Sequence, residues 1–343
     1  MMNYYKIVLL MVAVVSLSGC EEMFYREVDF TIEGEEEMLV LETENIIGQS
    51  PNILVNHTFL FGSDRDERIG AVLDADVSLR INGGEWMPLY RYGVSPAYRI
   101  LADSTKAPKI QALDTVEIAV SHPKYAPITA RQIMPNTIKA EMREYELMNN
   151  GWVSVTLRLD AYRGNPDDMI AIRLDSGMVQ MTYRRTGKIL DNVFDAIYST
   201  EPVFAEALNL QAAGYYGGHT GYDLFFPASA LSEPMDIHLI ADCMRGVNQE
   251  LYRNLTVRNL TFSVRACTYD YYLYEQFHRA YKNLWLEEPS GVPSQEGNIM
   301  EEILKTVSET LGQQEKIAVY TNVEGGLGYL TGYSKVSVTL PKP

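Results

Sequence analysis

The chain has 343 residues, a formal net charge of −16 and 46% hydrophobic residues. Its length exceeds the ~250 residues at which a single core usually stops growing, so two domains are expected. The negative field repels phosphate backbones and anionic headgroups alike, which excludes nucleic acid as a partner and reads as solubility in a crowded periplasm or surface layer.

At the start, Lys6 precedes an unbroken apolar run, Ile7 to Val15, and then Leu17-Ser18-Gly19-Cys20. The run is about half of the ~20 apolar residues needed to span a bilayer, so it reads as the core of a cleavable signal peptide covering residues 1–19. Leu, a small residue, Gly and Cys is the order a bacterial lipoprotein signal peptidase accepts. Cys20 is then the lipidated first residue of the mature protein, held on an outer membrane by its acyl chains at ~0.8 kcal/mol per buried methylene. The alternative is an ordinary secretory signal with an accidental cysteine. Residues 20–27 form the tether. Glu21-Glu22 resembles the acidic signal that sends such lipoproteins to the cell surface; the alternative there is a merely solvated tether.

From Val28 the text is β-like. Apolar runs such as Met38-Leu39-Val40-Leu41 and Ile53-Leu54-Val55 stop at turn clusters. Val77, Leu79 and Ile81 alternate before Asn82-Gly83-Gly84, the strongest short hairpin signal. Thr115 to Val120 alternates again, and Tyr125 to Ile133 reads as its partner. This is a sandwich pattern, immunoglobulin-like or prealbumin-like, over residues 28–135. Pro135 removes a ladder donor and marks the boundary.

A larger β domain, residues 136–343, begins at once. Ile138 to Glu144 and Trp152 to Asp160 flank an Asn149-Asn150-Gly151 turn, and strands follow at Met169 to Leu174, Val179 to Tyr183, Ile237 to Asp242 and Leu255 to Ala266. The stretch Phe194 to Pro234 shows no regular period. Two helices are expected late, near 269–286 behind a Thr268 cap and near 299–311 behind Asn298.

Besides Cys20 the cysteines are Cys243 and Cys267, each at the end of an apolar run. A hairpin turning near Val247 to Tyr252 would leave them not directly opposite, so two buried free thiols are the expected state and a disulfide the alternative.

Catalytic motifs are sparse. The chain has no Gly-x-Ser-x-Gly elbow, His-Glu-x-x-His, phosphate loop or Cys-x-x-Cys. Glu275-x-x-His278 is a single copy of a spacing that di-iron sites use in pairs, so a solvent-facing polar pair is expected. Asp74 and Asp76 share a strand face, but a hard cation needs six or more oxygens, and an acidic strand edge is expected instead. No metal and no cofactor is called for. Tyr215, Tyr216, His219 and Tyr222 lie in a glycine-rich stretch whose rigid amphipathic rings suit protein or glycan contacts; packing on their own domain is the alternative. Further on, Gly325, Gly326 and Gly328 lack the Lys and Ser/Thr of a phosphate cradle. They are expected to permit positive φ in a tight strand crossing before a strand at Lys335 to Leu340.

This tail, Tyr320-x-Asn322-x-Glu324-Gly325-Gly326-Leu327-Gly328, resembles the terminal signature of a Bacteroidota outer-membrane lipoprotein family whose domain has no assigned function. The lipobox, the Asp74-Ala75-Asp76-Val77 strand, the Tyr125 to Pro135 exit and the Thr268-x-Asp270-Tyr271-Tyr272-x-Tyr274 helix start are similar in order and spacing. An Asn-Pro-Phe turn usual before the tail is absent, and the 298–311 helix looks inserted. The resemblance implies a non-catalytic lipoprotein encoded beside a TonB-dependent transporter, acting as its accessory subunit, with no catalytic residues to carry over and an unnamed ligand. Two rivals remain open. One is a structural fimbrial subunit, needing a donated strand and cleavage at an arginine such as Arg65 or Arg68. The other is a free-standing glycan-binding protein or glycosidase, needing two carboxylates ~5 to 10 Å apart.

Overall fold

The computed structural model describes residues 37–58, 70–91, 95–100, 107–148, 152–193, 196–206, 219–221, 223–242, 249–276 and 321–340. The chain divides into two compact units, Met1–Glu36 and Glu37–Pro343, and every described residue belongs to the second. That unit is mainly β.

Seven strands precede Pro135: β1 (Leu39–Ile46), β2 (Ile53–His57), β3 (Asp76–Ile81), β4 (Met87–Arg91), β5 (Tyr98–Ile100), β6 (Thr115–His122) and β7 (Tyr125–Ile133). Period-2 alternation builds them, since successive side chains on a strand point to opposite faces. Val77 and Leu79 of β3 and Val116, Ile118 and Val120 of β6 are all buried. The β3–β4 turn places Asn82 and Gly83 at φ 53 and 66, the left-handed pair that an Asn-Gly hairpin needs.

Beyond Pro135 come β8 (Ala140–Leu147), β9 (Trp152–Leu159), β10 (Met169–Tyr183), β11 (Ile189–Val193), β12 (Ala196–Ser199), β13 (His219–Gly221), β14 (Asp223–Pro227), β15 (Met235–Asp242), β16 (Tyr252–Cys267), β17 (Val323–Glu324) and β18 (Leu327–Thr339). A helix, α1, occupies 269–276. Thr268 caps it, accepting from the Tyr271 amide at 3.2 Å. Its expected continuation to 286 and the helix near 299–311 lie outside the described residues.

Five strands form a small sheet in the order β13-β12-β15-β9-β8. The others form a 13-stranded sheet in the order β11-β10-β16-β18-β1-β2-β5-β4-β3-β6-β7-β17, with β14 paired to β10. This order explains how the first half closes. β17 ends the series beside β7, yet the chain passes from Glu324 directly to Leu327 of β18, which lies against β1. One bent segment thus joins both ends of the β1 to β7 series around a single apolar cluster that includes Leu39, Leu41, Ile118, Ile128, Val323 and Leu330.

A second cluster, from Ile138 to Leu340, lies between the two sheets, and a third, with Phe225, Cys267, Tyr271 and Tyr333, lies under α1. β18 contributes to all three, through Leu330, Val338 and Tyr333. Pro135, where the domain boundary was expected, is buried. Asn136 beside it receives a hydrogen bond on its carbonyl from Ser334 Oγ at 2.8 Å and donates its amide to Tyr162 Oη at 2.8 Å.

Several local expectations change in three dimensions. Met169 to Leu174 and Val179 to Tyr183 are one 15-residue strand whose register against β16 shifts at Leu174/Ser176, Met178/Val179 and Gln180/Thr182. The apparently irregular stretch before Pro234 supplies β12 and β14, the latter with Leu224, Phe225 and Phe226 fully buried. β15 and β16 are not a hairpin: β15 pairs with β9 and β12, β16 with β10 and β18. Cys267 is a buried free thiol, and Cys243 lies outside the described residues.

Candidate functional site

The site with the densest chemistry is the face of the large sheet that α1 covers. Strand alternation creates it: in β16, Phe262, Val264 and Ala266 enter the inter-sheet core, so Ser263, Arg265 and Cys267 face α1. On β18 the residues facing α1 are tyrosines. Tyr329 meets Tyr274 with the rings tilted by 32° and their centroids 3.8 Å apart, and the Tyr333 ring centroid lies 5.2 Å from that of Tyr271.

Arg265 is the centre of this face. Only 6% exposed, its guanidinium lies 4.7 Å above the Tyr333 ring, and its Nη1 donates to Tyr271 Oη at 2.7 Å. Tyr271 Oη in turn donates to Glu275 Oε1 at 3.2 Å. Asp175 Oδ1 lies 4.0 Å from Arg265 Nη2, accepts from Ser263 Oγ at 2.9 Å, and its other oxygen pairs with Lys335 Nζ at 2.5 Å. Arg173 pairs with the buried Asp223 at 3.7 Å. A buried cation is stable only when it is paired and hydrogen-bonded; the cations of this set are paired, while Arg265 Nε and Asp223 Oδ1 make no hydrogen bond, the latter facing Arg173 at ion-pair distance.

The electrostatics follow. Burial alone would raise the Asp175 carboxyl, but the hydrogen bonds from Lys335 and Ser263 outweigh it and the group sits below its ordinary value. Glu44, on β1 beside Tyr333, is raised by desolvation, with Arg265 pulling the other way. Desolvation, then Glu44, pushes the Tyr333 phenol up to about 12, and Tyr271 and Tyr329 are raised further by burial. These phenols therefore stay protonated near neutral pH, acting as hydrogen-bond donors and aromatic surfaces and not as bases. Burial likewise pushes the Cys267 thiol well up, and its Sγ donates to the Met169 carbonyl at 3.3 Å. Such a cysteine is inert as a nucleophile. The arrangement clamps α1 to the sheet.

The tail glycines lie at the crossing. Gly325 and Gly328 have φ +80 and +106. A Cβ on Gly325 would approach the Pro127 carbonyl oxygen to 2.7 Å, one on Gly326 would meet Leu39 O and Ile128 Cγ2 at 2.6 Å, and one on Gly328 would fall onto the Leu41 carbonyl. Gly326 is thus needed for close approach and not for φ.

Of the other sequence candidates, Glu275 belongs to this face as the acceptor from Tyr271 Oη. His219 opens β13; Tyr215, Tyr216, Tyr222 and Cys20 lie outside the described residues, as does His278. Asp74 pairs with His122 at 3.2 Å. No group of three or more potential metal ligands occurs among the described residues. Arg265, Asp175 and Lys335 were not singled out from sequence. The available signal was a charged residue at an alternating position inside a long apolar strand.

A depression of about 330 Å³ on the outer face of the small sheet is lined by Arg143, Glu144, Thr156, Arg158, Asp236 and His238. Arg158 pairs with Asp236 at 3.2 Å and His238 with Glu201 at 2.7 Å. It adjoins the edge strand β8, where such charges deter pairing with another sheet. No protein-family model, no curated protein and no solved structure matches this chain.

Proposed function

We propose that this protein is a non-catalytic lipoprotein, anchored to an outer membrane through Cys20 and facing the cell surface, that serves as accessory subunit of a TonB-dependent nutrient transporter. The observation that carries this reading is the sequence Leu17-Ser18-Gly19-Cys20 behind its apolar run, which dictates lipidation and hence the compartment. The resemblance of the Tyr320 to Gly328 tail supports the choice of partner. The role of Tyr215, Tyr216 and Tyr222 is transporter contact, because aromatics are the residues that make interface hot spots of ~2 kcal/mol each. Here the chain's own residues 323–333 fill the gap between β7 and β1, so each copy completes its own sheet.

The test has two arms. Cys20→Ala should move the protein from the membrane to the soluble fraction; retention on the membrane refutes the anchor. In pull-downs from detergent-solubilised outer membranes, wild type should bring down a transporter, and Tyr215→Ser/Tyr216→Ser/Tyr222→Ser with wild-type melting should not. Wild type that brings down no transporter refutes the partner.

A further inference from the structure

The tail is held as a bound peptide strand would be. Segment 277–320 separates it from α1, and its partners lie far away in the chain, up to 288 positions in the bond from Thr331 Oγ1 to the Thr43 carbonyl. It enters beside β7 with Val323 opposite Ala130 and Glu324 opposite Thr129. After the glycine crossing it runs parallel to β1, from Leu327 opposite Val40 to Tyr333 opposite Ile46. It then runs antiparallel to β16, from Tyr333 opposite Cys267 to Thr339 opposite Thr261. Without it, β1, β7 and β16 would each present an unpaired edge, and Val323, Leu330 and Val338 would be missing from their clusters.

Side chains of the groove also read the tail's backbone. Asn45 Nδ2 donates to the Thr331 carbonyl at 3.0 Å, and Thr268 Oγ1 accepts from the Gly332 amide at 3.4 Å. The small residues are a selectivity element, because at Gly325, Gly326 and Gly328 any side chain would meet Pro127, Leu39 and Leu41.

We propose that the groove lined by β1, β7 and β16 is a strand-accepting site, filled in cis by residues 323–339, that also takes the same tail from a second copy of this chain. Main-chain hydrogen bonds supply affinity, and the three glycine positions supply specificity, the division of labour seen in strand addition generally. Two copies that trade tails keep every bond made within one copy, so exchange costs nothing in contacts. Segment 277–320, at ~3.3 Å per residue of contour, is long enough to reach another molecule.

The test uses the mature chain with Cys20→Ser and a protease site inserted between Pro293 and Ser294. After folding and cutting, the tail fragment should co-elute with the body on native gel filtration. After brief exposure to sub-denaturing urea, labelled peptide 321–340 should replace it, with a Gly328→Val peptide taken up at least ~10-fold less. Two differently tagged uncut chains treated the same way at high concentration should form mixed dimers. A tail that leaves on cutting, a body that unfolds on cutting, or a retained tail that labelled peptide never replaces overturns the strand site. Peptide uptake without mixed dimers overturns the second copy as its partner.

Discussion

Gly328→Ala isolates what the glycine crossing contributes to stability. Two costs combine at this position. A residue with a Cβ at φ +106 is strained by ~1 kcal/mol or more. The Cβ also falls onto the Leu41 carbonyl, and Leu41 is Gly328's own partner in the parallel ladder, flanked by the Val40–Leu327 and Glu42–Tyr329 pairs. The backbones cannot separate there without loosening those neighbours, so the overlap adds a further ~2–3 kcal/mol, as overpacking in a rigid core does. The expected total is ~3–4 kcal/mol. Gly83→Ala is the matched control, since Gly83 has φ +66 but nothing within 4 Å of an added Cβ; it should cost only ~1 kcal/mol. Gly326→Ala, with the close approach but without the positive φ, should fall between them. Urea unfolding followed by circular dichroism reads all three, provided the m-value stays constant. If Gly328→Ala costs no more than Gly83→Ala, the close approach is not what requires glycine, and the crossing is looser than described.

Asp168 predicts a pH dependence. Burial raises its carboxyl to about 6, against the lowering effect of the Tyr162 phenol that donates to it at 2.5 Å. The folded state therefore holds this proton more tightly than the unfolded chain, whose ordinary value is 3.8. Its contribution is fully present below pH ~4 and lost as pH rises through ~6, by up to ~3 kcal/mol. Asp168→Asn should flatten the urea midpoint over that window relative to wild type; parallel curves refute the assignment. Arg265→Ala should cost ~3–5 kcal/mol, because it strips the Tyr271 hydroxyl and the Tyr333 ring of their cation and leaves Asp175 to Lys335 and Ser263. Arg265→Lys should recover little, since an ammonium cannot both lie flat on a ring and reach two acceptors. Wild-type melting of either variant refutes a central role for Arg265.

The sequence by itself determined the alternating strands and which way their side chains face. Val153, Val155, Leu157 and Leu159 declare one buried face through strict alternation, and all four are at most 1% exposed. Asn82-Gly83 declares its turn because few residues tolerate positive φ, and Thr268 declares a helix start because its hydroxyl is placed to take an orphan amide. These are local consequences, settled within a few residues of the chain.

Tertiary structure decided who stands beside whom. β15 and β16 are consecutive strands in the sequence, as hairpin strands are, yet they enter different sheets, because pairing is chosen by which apolar face finds a complementary core and not by adjacency. Leu224, Phe225 and Phe226 carry no alternation because both faces of β14 are covered, one by the inter-sheet cluster and one by the cluster under α1. Arg265 looks in sequence like an interruption of an apolar strand. Only the arrival of α1 above it and of β18 beside it turns that charge into the centre of a buried network. For the same reason the tail's glycines reveal from sequence that something must cross closely, while the identity of what they cross, the carbonyls of Leu39 and Leu41 nearly three hundred positions earlier, exists only once the chain has folded back on itself.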